Sequence, residues 1–153
     1  MPEPTPELRL LVDNAVLDDV VFSELSARRN EDFQGASIQV RPAYRLHLRP
    51  RLDSQPGFQI ALEVVIRSEI GVISATAVAA YTVSDAGVEV LQDQTTVIEF
   101  GNEVAVMTLI PYLRYAIADI TTRVFGAPLL MPVLHRGDIR FDPTTAPAAP
   151  EPT

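Results

Sequence analysis

The chain contains no cysteine, and that absence excludes disulfides, thiolate metal sites and a cysteine nucleophile. It contains no lysine either: all twelve basic residues are arginine, which removes Schiff-base and lysine general-base chemistry. Long apolar runs are also missing. Although 47% of the 153 residues are hydrophobic, no uninterrupted run approaches the roughly 20 residues that cross a bilayer, so a soluble protein is expected. The segment Met1 to Glu7 is acidic and proline-rich and lacks the basic and apolar stretches of a secretion signal, which points to the cytoplasm. A formal net charge of -8 offers no clustered cations to a phosphate backbone, so no nucleic-acid partner is expected.

Familiar reaction centres are absent from the pattern as well. The two histidines, His47 and His135, stand far apart with no HExxH-like spacing, whereas a zinc site takes three or four protein ligands. No serine sits in a GxSxG elbow, and the glycines at 71, 87, 101, 126 and 137 are isolated, so no phosphate-cradling loop forms. Asp18-Asp19 and Glu31-Asp32 are adjacent carboxylates, but neighbours in a strand point to opposite faces and read as solvated acids. Neither catalysis nor a cofactor nor a metal is expected.

What is present is alternation. Tyr44, Leu46 and Leu48 alternate with Arg45, His47 and Arg49, and the strand they form is expected from Ile38 to Leu48, after a polar loop over Arg28 to Gly35. The turn cluster Asp53 to Gly57 leads into Phe58, Ile60, Leu62, Val64 and Ile66, and Gly71 into Ile73 through Val83. Upstream, Leu8 to Val12 and Val16 to Phe22 read as one strand kinked at Asp13-Asn14. Small alanines in the fourth strand leave room for a bulky element. That element is a helix carrying Val106, Ile110, Leu113, Ile117, Ile120 and Val124 at spacings of three and four. It is expected to start at an Asn102-Glu103 cap and kink at Pro111, or to start near Pro111, and to end at Gly126 and Pro128. The fold class is therefore α+β: a four-stranded antiparallel sheet with one long helix on one face. Residues 1–7 and the Pro/Ala-rich stretch 142–153 are expected to be disordered around a single domain spanning 8–141.

Apolar surface remains after one helix has covered one sheet face. The proline-bracketed run Leu129 to Leu134 must lie on something apolar, and Val65, Val78 and Ala80 fall on the other sheet face, which suggests association. Within the helix, Ile110-Pro111-Tyr112-Leu113-Arg114, with Arg123 nine positions after Arg114, resembles the Phe-Pro-Tyr-Ala-Arg helix of the SecB-type protein-export chaperone family. Pro132-Val133 resembles that family's Ala-Pro-Val segment, and Asp19-Val20-Val21-Phe22 its early Asp-Ile-Ser-Phe. The resemblance extends over roughly Val12 to Phe141.

It implies an ATP-independent holdase without cofactor, a homotetramer built as a dimer of dimers, that keeps unfolded preproteins translocation-competent in apolar grooves. Carried onto this sequence, the client-binding residues are Tyr44, Leu46, Leu129, Leu130 and Leu134, and the residues docking the export motor ATPase are Asp19 and Glu24. Three departures matter. Ser23 stands where the family has its second carboxylate, Thr76 and its neighbours offer no acid in strand four, and proline and alanine replace a C-terminal helix. A dedicated SecB-like chaperone or adaptor for one client, such as an antitoxin, is the alternative. A small-molecule-binding domain is a third reading, with Tyr112, Arg114 and Asp119 as its polar groups; Asp119 is otherwise expected to pair with Arg123.

Overall fold

The computed structural model describes residues 3–32 and 41–141. Residues 1 and 2, the end of the expected loop before Ile38, the Ile38 start of the second strand, and the tail from residue 142 lie outside the described residues. Four strands form one antiparallel sheet in the order β1-β4-β3-β2: β1 Ala15–Arg29, β2 Pro42–Pro50, β3 Gly57–Ser68 and β4 Gly71–Val83. The expected hairpins connect β2 to β3 and β3 to β4.

The chain before β1 corrects the sequence reading. Leu8 to Val12 is not the first half of a strand but part of helix α1, Pro6–Asn14. The Thr5 hydroxyl caps it by accepting from the Leu8 amide at 3.2 Å, and Pro6 opens the first turn, where an N–H has no intrahelical partner to lose. Leu8 and Leu11, three apart on one side, are buried, while Leu10 and Val12 are exposed.

The kink expected at Asp13-Asn14 is replaced by two irregularities inside β1. Its register against β4 shifts between Leu17 and Asp19 and again between Phe22 and Glu24, which leaves Asp18 and Ser23 as bulge positions. Each extra residue changes which parity faces the core. Leu17 lies opposite Tyr81, Val20 and Phe22 opposite Ala79 and Ala77, and Leu25 opposite Ala75, so apolar residues of both parities reach the same side. The loop expected from Arg28 begins later, since β1 continues through Arg29 opposite Gly71.

Over that side lies an unbroken helix, Gln94–Phe125, reached through a 3-10 segment, Asp85–Gln92. It starts well before Asn102 or Pro111 because Asp93 supplies the cap: its carboxylate accepts from the Thr95 amide at 3.1 Å and the Thr96 hydroxyl at 2.7 Å. Three stretches make up the helix: α2 Gln94–Phe100, a π-helical turn Gly101–Ala105, and α3 Val106–Phe125, which runs through Pro111. Gly101 lies close over β2, for a Cβ there would stand 2.9 Å from Leu46 Cδ2 and would make that side chain give way. Gly126, in the left-handed region at φ 86°, ends α3.

By length and composition Gln94–Phe125 could cross a bilayer. Here its apolar residues Leu109, Leu113 and Ile117 are wholly buried on the sheet, beside the small Ala75, Ala77 and Ala79 of β4. At the other end of the core, Phe58 stacks on Tyr81 at 5.2 Å and Phe100 meets both rings edge-on, at 5.3 and 4.9 Å.

Candidate functional site

The first candidate surface is the edge strand β1. It pairs with β4 on one side only, and its apolar residues are unusually open: Val21 is 49% exposed, Phe22 38% and Leu25 39%. Phe22 and Leu25 lie on the helix side of the sheet and Val21 on the opposite side, so both faces of this edge present apolar area. An open strand edge with such side chains is a template for a further strand. Glu24 lies opposite Thr76 and Asp19 opposite Ala80, which puts both acids on the sheet face away from the helix, on either side of Val21.

The Asp18 bulge is fastened by charge. Arg51, from the β2–β3 connection, donates to Asp18 at 2.6 Å, to the Thr82 hydroxyl of β4 at 3.0 Å, and through two nitrogens to Asp53 at 2.8 and 2.5 Å. Thr82 in turn donates to Asp18. The Thr82 hydroxyl and the Arg51 guanidinium hold the Asp18 carboxyl below its ordinary pKa, and Arg51 does the same for Asp53. The two carboxylates, Asp53 first, hold Arg51 more firmly protonated than usual. One cation thereby joins β1, β4 and the β2–β3 connection.

The second candidate surface lies along the helix, where the chain returns after Gly126. Of the expected client-binding residues, Leu46 is only 7% exposed and sits beneath Gly101, as part of the core. Tyr44 is half-buried on the same side of the sheet. Leu129 and Leu134 are half-buried against the core, whereas Leu130 points outward at 74% exposure. Met131, which the sequence reading did not single out, is 2% exposed and is the deepest anchor of this segment. Its signal was present in the alternation Leu129, Met131 against Leu130, Pro132.

Two buried tyrosine hydroxyls, Tyr44 and Tyr81, have no hydrogen-bond partner among the described residues. Burial raises the pKa of both, opposed at Tyr44 by the Arg114 charge and at Tyr81 by nearby Thr108. Thr108 gives its own hydroxyl hydrogen to the Val104 carbonyl at 3.0 Å. The polar trio of the ligand-pocket reading does not converge: Tyr112 and Asp119 are exposed, Asp119 pairs with Arg123 at 3.5 Å, and Arg114 is half-buried. Among the described residues no three His, Asp or Glu side chains gather as metal ligands.

Comparison with known proteins adds a fold. No family model matches the sequence, and no curated protein matches it. Among solved structures, the chain is similar to the SecB-like chaperone of Mycobacterium tuberculosis, solved in complex with a ChAD peptide from the HigA1 antitoxin. The TM-score is 0.66 at 14% identity, over 86% of this chain and 99% of that one. A protein of unknown function from Streptococcus agalactiae aligns more loosely, at TM-score 0.42 and 11% identity, over 78% of this chain and 97% of that one. The fold, a four-stranded antiparallel sheet with a long helix on one face, is SecB-like, as expected from the helix motif.

Proposed function

We propose that this protein is a SecB-like chaperone that holds an extended polypeptide client without nucleotide, and that it serves a dedicated client such as an antitoxin. The observation that carries the reading is the coincidence of a SecB-like fold with uncovered apolar area on its edge strand, Val21, Phe22 and Leu25. The neighbour's antitoxin peptide favours a dedicated client over general service. Holding works by burial at about 25 cal/mol per Å² of apolar area, with no bond made or broken in the client. Tyr44, Leu129, Leu130 and Leu134 flank the client path in this reading, with Leu46 supporting it from beneath. The protein acts in the cytoplasm, as a homotetramer assembled as a dimer of dimers, neither as an enzyme nor with a cofactor.

A general holdase for preproteins is the second reading, favoured by Asp19 and Glu24 on one sheet face as a docking pair for an export motor. β4 itself supplies no acid there: Thr76 lies between Glu24 of β1 and Glu63 of β3. The test is suppression of aggregation of a denatured, unrelated protein by stoichiometric amounts of this one without ATP, with native mass recorded in the same buffer. Suppression by a tetramer supports the general reading. Failure with unrelated proteins, together with tight capture of one antitoxin, supports the dedicated one. A monomer that captures neither overturns both.

A further inference from the structure

The segment after α3 is built like a bound peptide. From Leu129 to Phe141 it forms no helix or strand. Its apolar anchors Leu129, Met131, Leu134 and Phe141 pack on the core, while Leu130 and Val133 face solvent. Its ends are fixed at two points along the helix, Thr121 near the C-terminus and Asn102 in the π-turn. The Leu129 amide donates to the buried Thr121 hydroxyl oxygen at 2.8 Å, and the buried Asn102 side chain accepts from the Phe141 amide at 2.8 Å and donates to the Phe141 carbonyl at 3.0 Å. At about 1.5 Å per helical residue, Thr121 and Asn102 stand roughly 28 Å apart, a span that about a dozen residues cover in an open conformation with room for the turn at His135–Asp138. Arg136 reaches Glu103 at 3.1 Å, and Arg140 reaches Glu103 and Glu99 at 3.1 Å each.

Two kinds of fastening thus hold this strap. One is apolar and rests on Leu129, Met131, Leu134 and Phe141, a spacing that another open chain with a few apolar residues could match. The other is polar: exposed arginine–glutamate pairs, which salt screens, plus the three hydrogen bonds made by the Thr121 and Asn102 side chains at its two ends. No strand ladder ties the strap to the sheet among the described residues, so its release breaks no backbone pairing of the sheet.

We propose that the strap is an internal competitor: it occupies an apolar track along helix Gln94–Phe125, and an extended apolar client segment gains that track by displacing it. The inference rests on the chaperone reading for the identity of the displacing chain. It departs from that reading at one point, since Leu129, Met131 and Leu134 are occupants of the track and not its lining, and it adds that Glu99 and Glu103 become free to meet basic client residues once the strap leaves. Binding to a track that is open only part of the time is weakened by the open fraction. Opening the strap therefore tightens binding.

The test uses full-length protein and a fluorescent synthetic peptide of residues 126–141 as the probe. Arg136→Glu with Arg140→Glu sets like charges against Glu99 and Glu103 without touching the core. This variant is expected to bind the peptide at least roughly tenfold more tightly than the unaltered protein. Adding Glu99→Arg and Glu103→Arg restores the pairing and is expected to restore weak binding. Asn102→Cys with Phe141→Cys, in a chain that otherwise lacks cysteine, pins the strap when oxidised and releases it on reduction. Equal binding by all forms, or binding by none while circular dichroism shows them folded, overturns the proposal. Client capture that is the same in opened and pinned forms also overturns it, yet leaves the chaperone reading standing. Strap-dependent peptide binding with no client captured by any form overturns the chaperone reading alone.

Discussion

The two edges of the sheet differ in kind. β2 is bracketed by Pro42 and Pro50 and carries Arg45 and Arg49 between them, so proline and charge both discourage a further strand. β1 spans fifteen residues without a proline and leaves Val21, Phe22 and Leu25 open. A protein that needed to avoid association would guard both. The difference teaches that one edge is closed and the other is left open to a further strand.

The harshest way to break the comparison is to remove what both edges share. Leu113, wholly buried on α3, supports the sheet from above, and Leu113→Ala is expected to cost about 2–5 kcal/mol in chemical denaturation. Amide exchange should then rise at both edges together; a rise at β1 alone would show that the helix holds only that edge. A second substitution sharpens the contrast. Leu25→Arg on β1 is expected to weaken self-association and client capture by at least roughly tenfold, with monomer stability within about 0.5 kcal/mol. Ala43→Arg on β2 should leave native mass unchanged in analytical ultracentrifugation. Equal effects at both edges would remove the distinction.

Acid offers a finer probe of how β1 is held. Asp18 and Asp53 both have pKa values depressed below 3.8, so their contribution is present above that value and is lost as pH falls through the lower folded-state values. Melting curves should therefore drop below about pH 4 more steeply in the unaltered protein than in Arg51→Ala, where Asp53 loses the main cause of its depression and Asp18 keeps the Thr82 hydroxyl but loses the guanidinium. The extra loss should appear as amide exchange in β1 and not in β2. Smallest of all is Asp119→Ala, which removes an exposed pair with Arg123 and is expected to change stability by less than about 0.5 kcal/mol.

The central hairpins were legible because nothing interrupts their alternation: turn clusters at Asp53 to Gly57 and at Gly71 bound strands whose parity holds throughout. β1 was legible only in part. Asp18 and Ser23 each insert one residue, and a reader of period two sees Leu17 and Val20 on different faces. α1 was hidden by a dense apolar run that suits a strand equally well, although Thr5-Pro6-Glu7 is a helix start. The helix start was missed because Thr95, Thr96, Val97 and Ile98 are β-branched, so Asp93 did not stand out as a cap. Of the site, the strap's apolar character was readable from its prolines and leucines. Its pairing partners Glu99, Asn102 and Glu103 were not, because they come from a helix whose extent was underestimated.

The wide turn at Gly101–Ala105 has a further consequence. A π-turn carries one residue more than an α-turn, and one residue is about 100° of rotation around a helix. The turn therefore acts as a phase adjuster between two rigid rods: α3 is set against the sheet, and α2 is set separately so that Phe100 meets Phe58 and Tyr81. Deleting a single residue there would heal the helix into regular α-geometry, yet swing Phe100 away from its aromatic partners and turn Asn102 off the strap. An improvement in local helix geometry would then unseat two distant parts of the molecule at once.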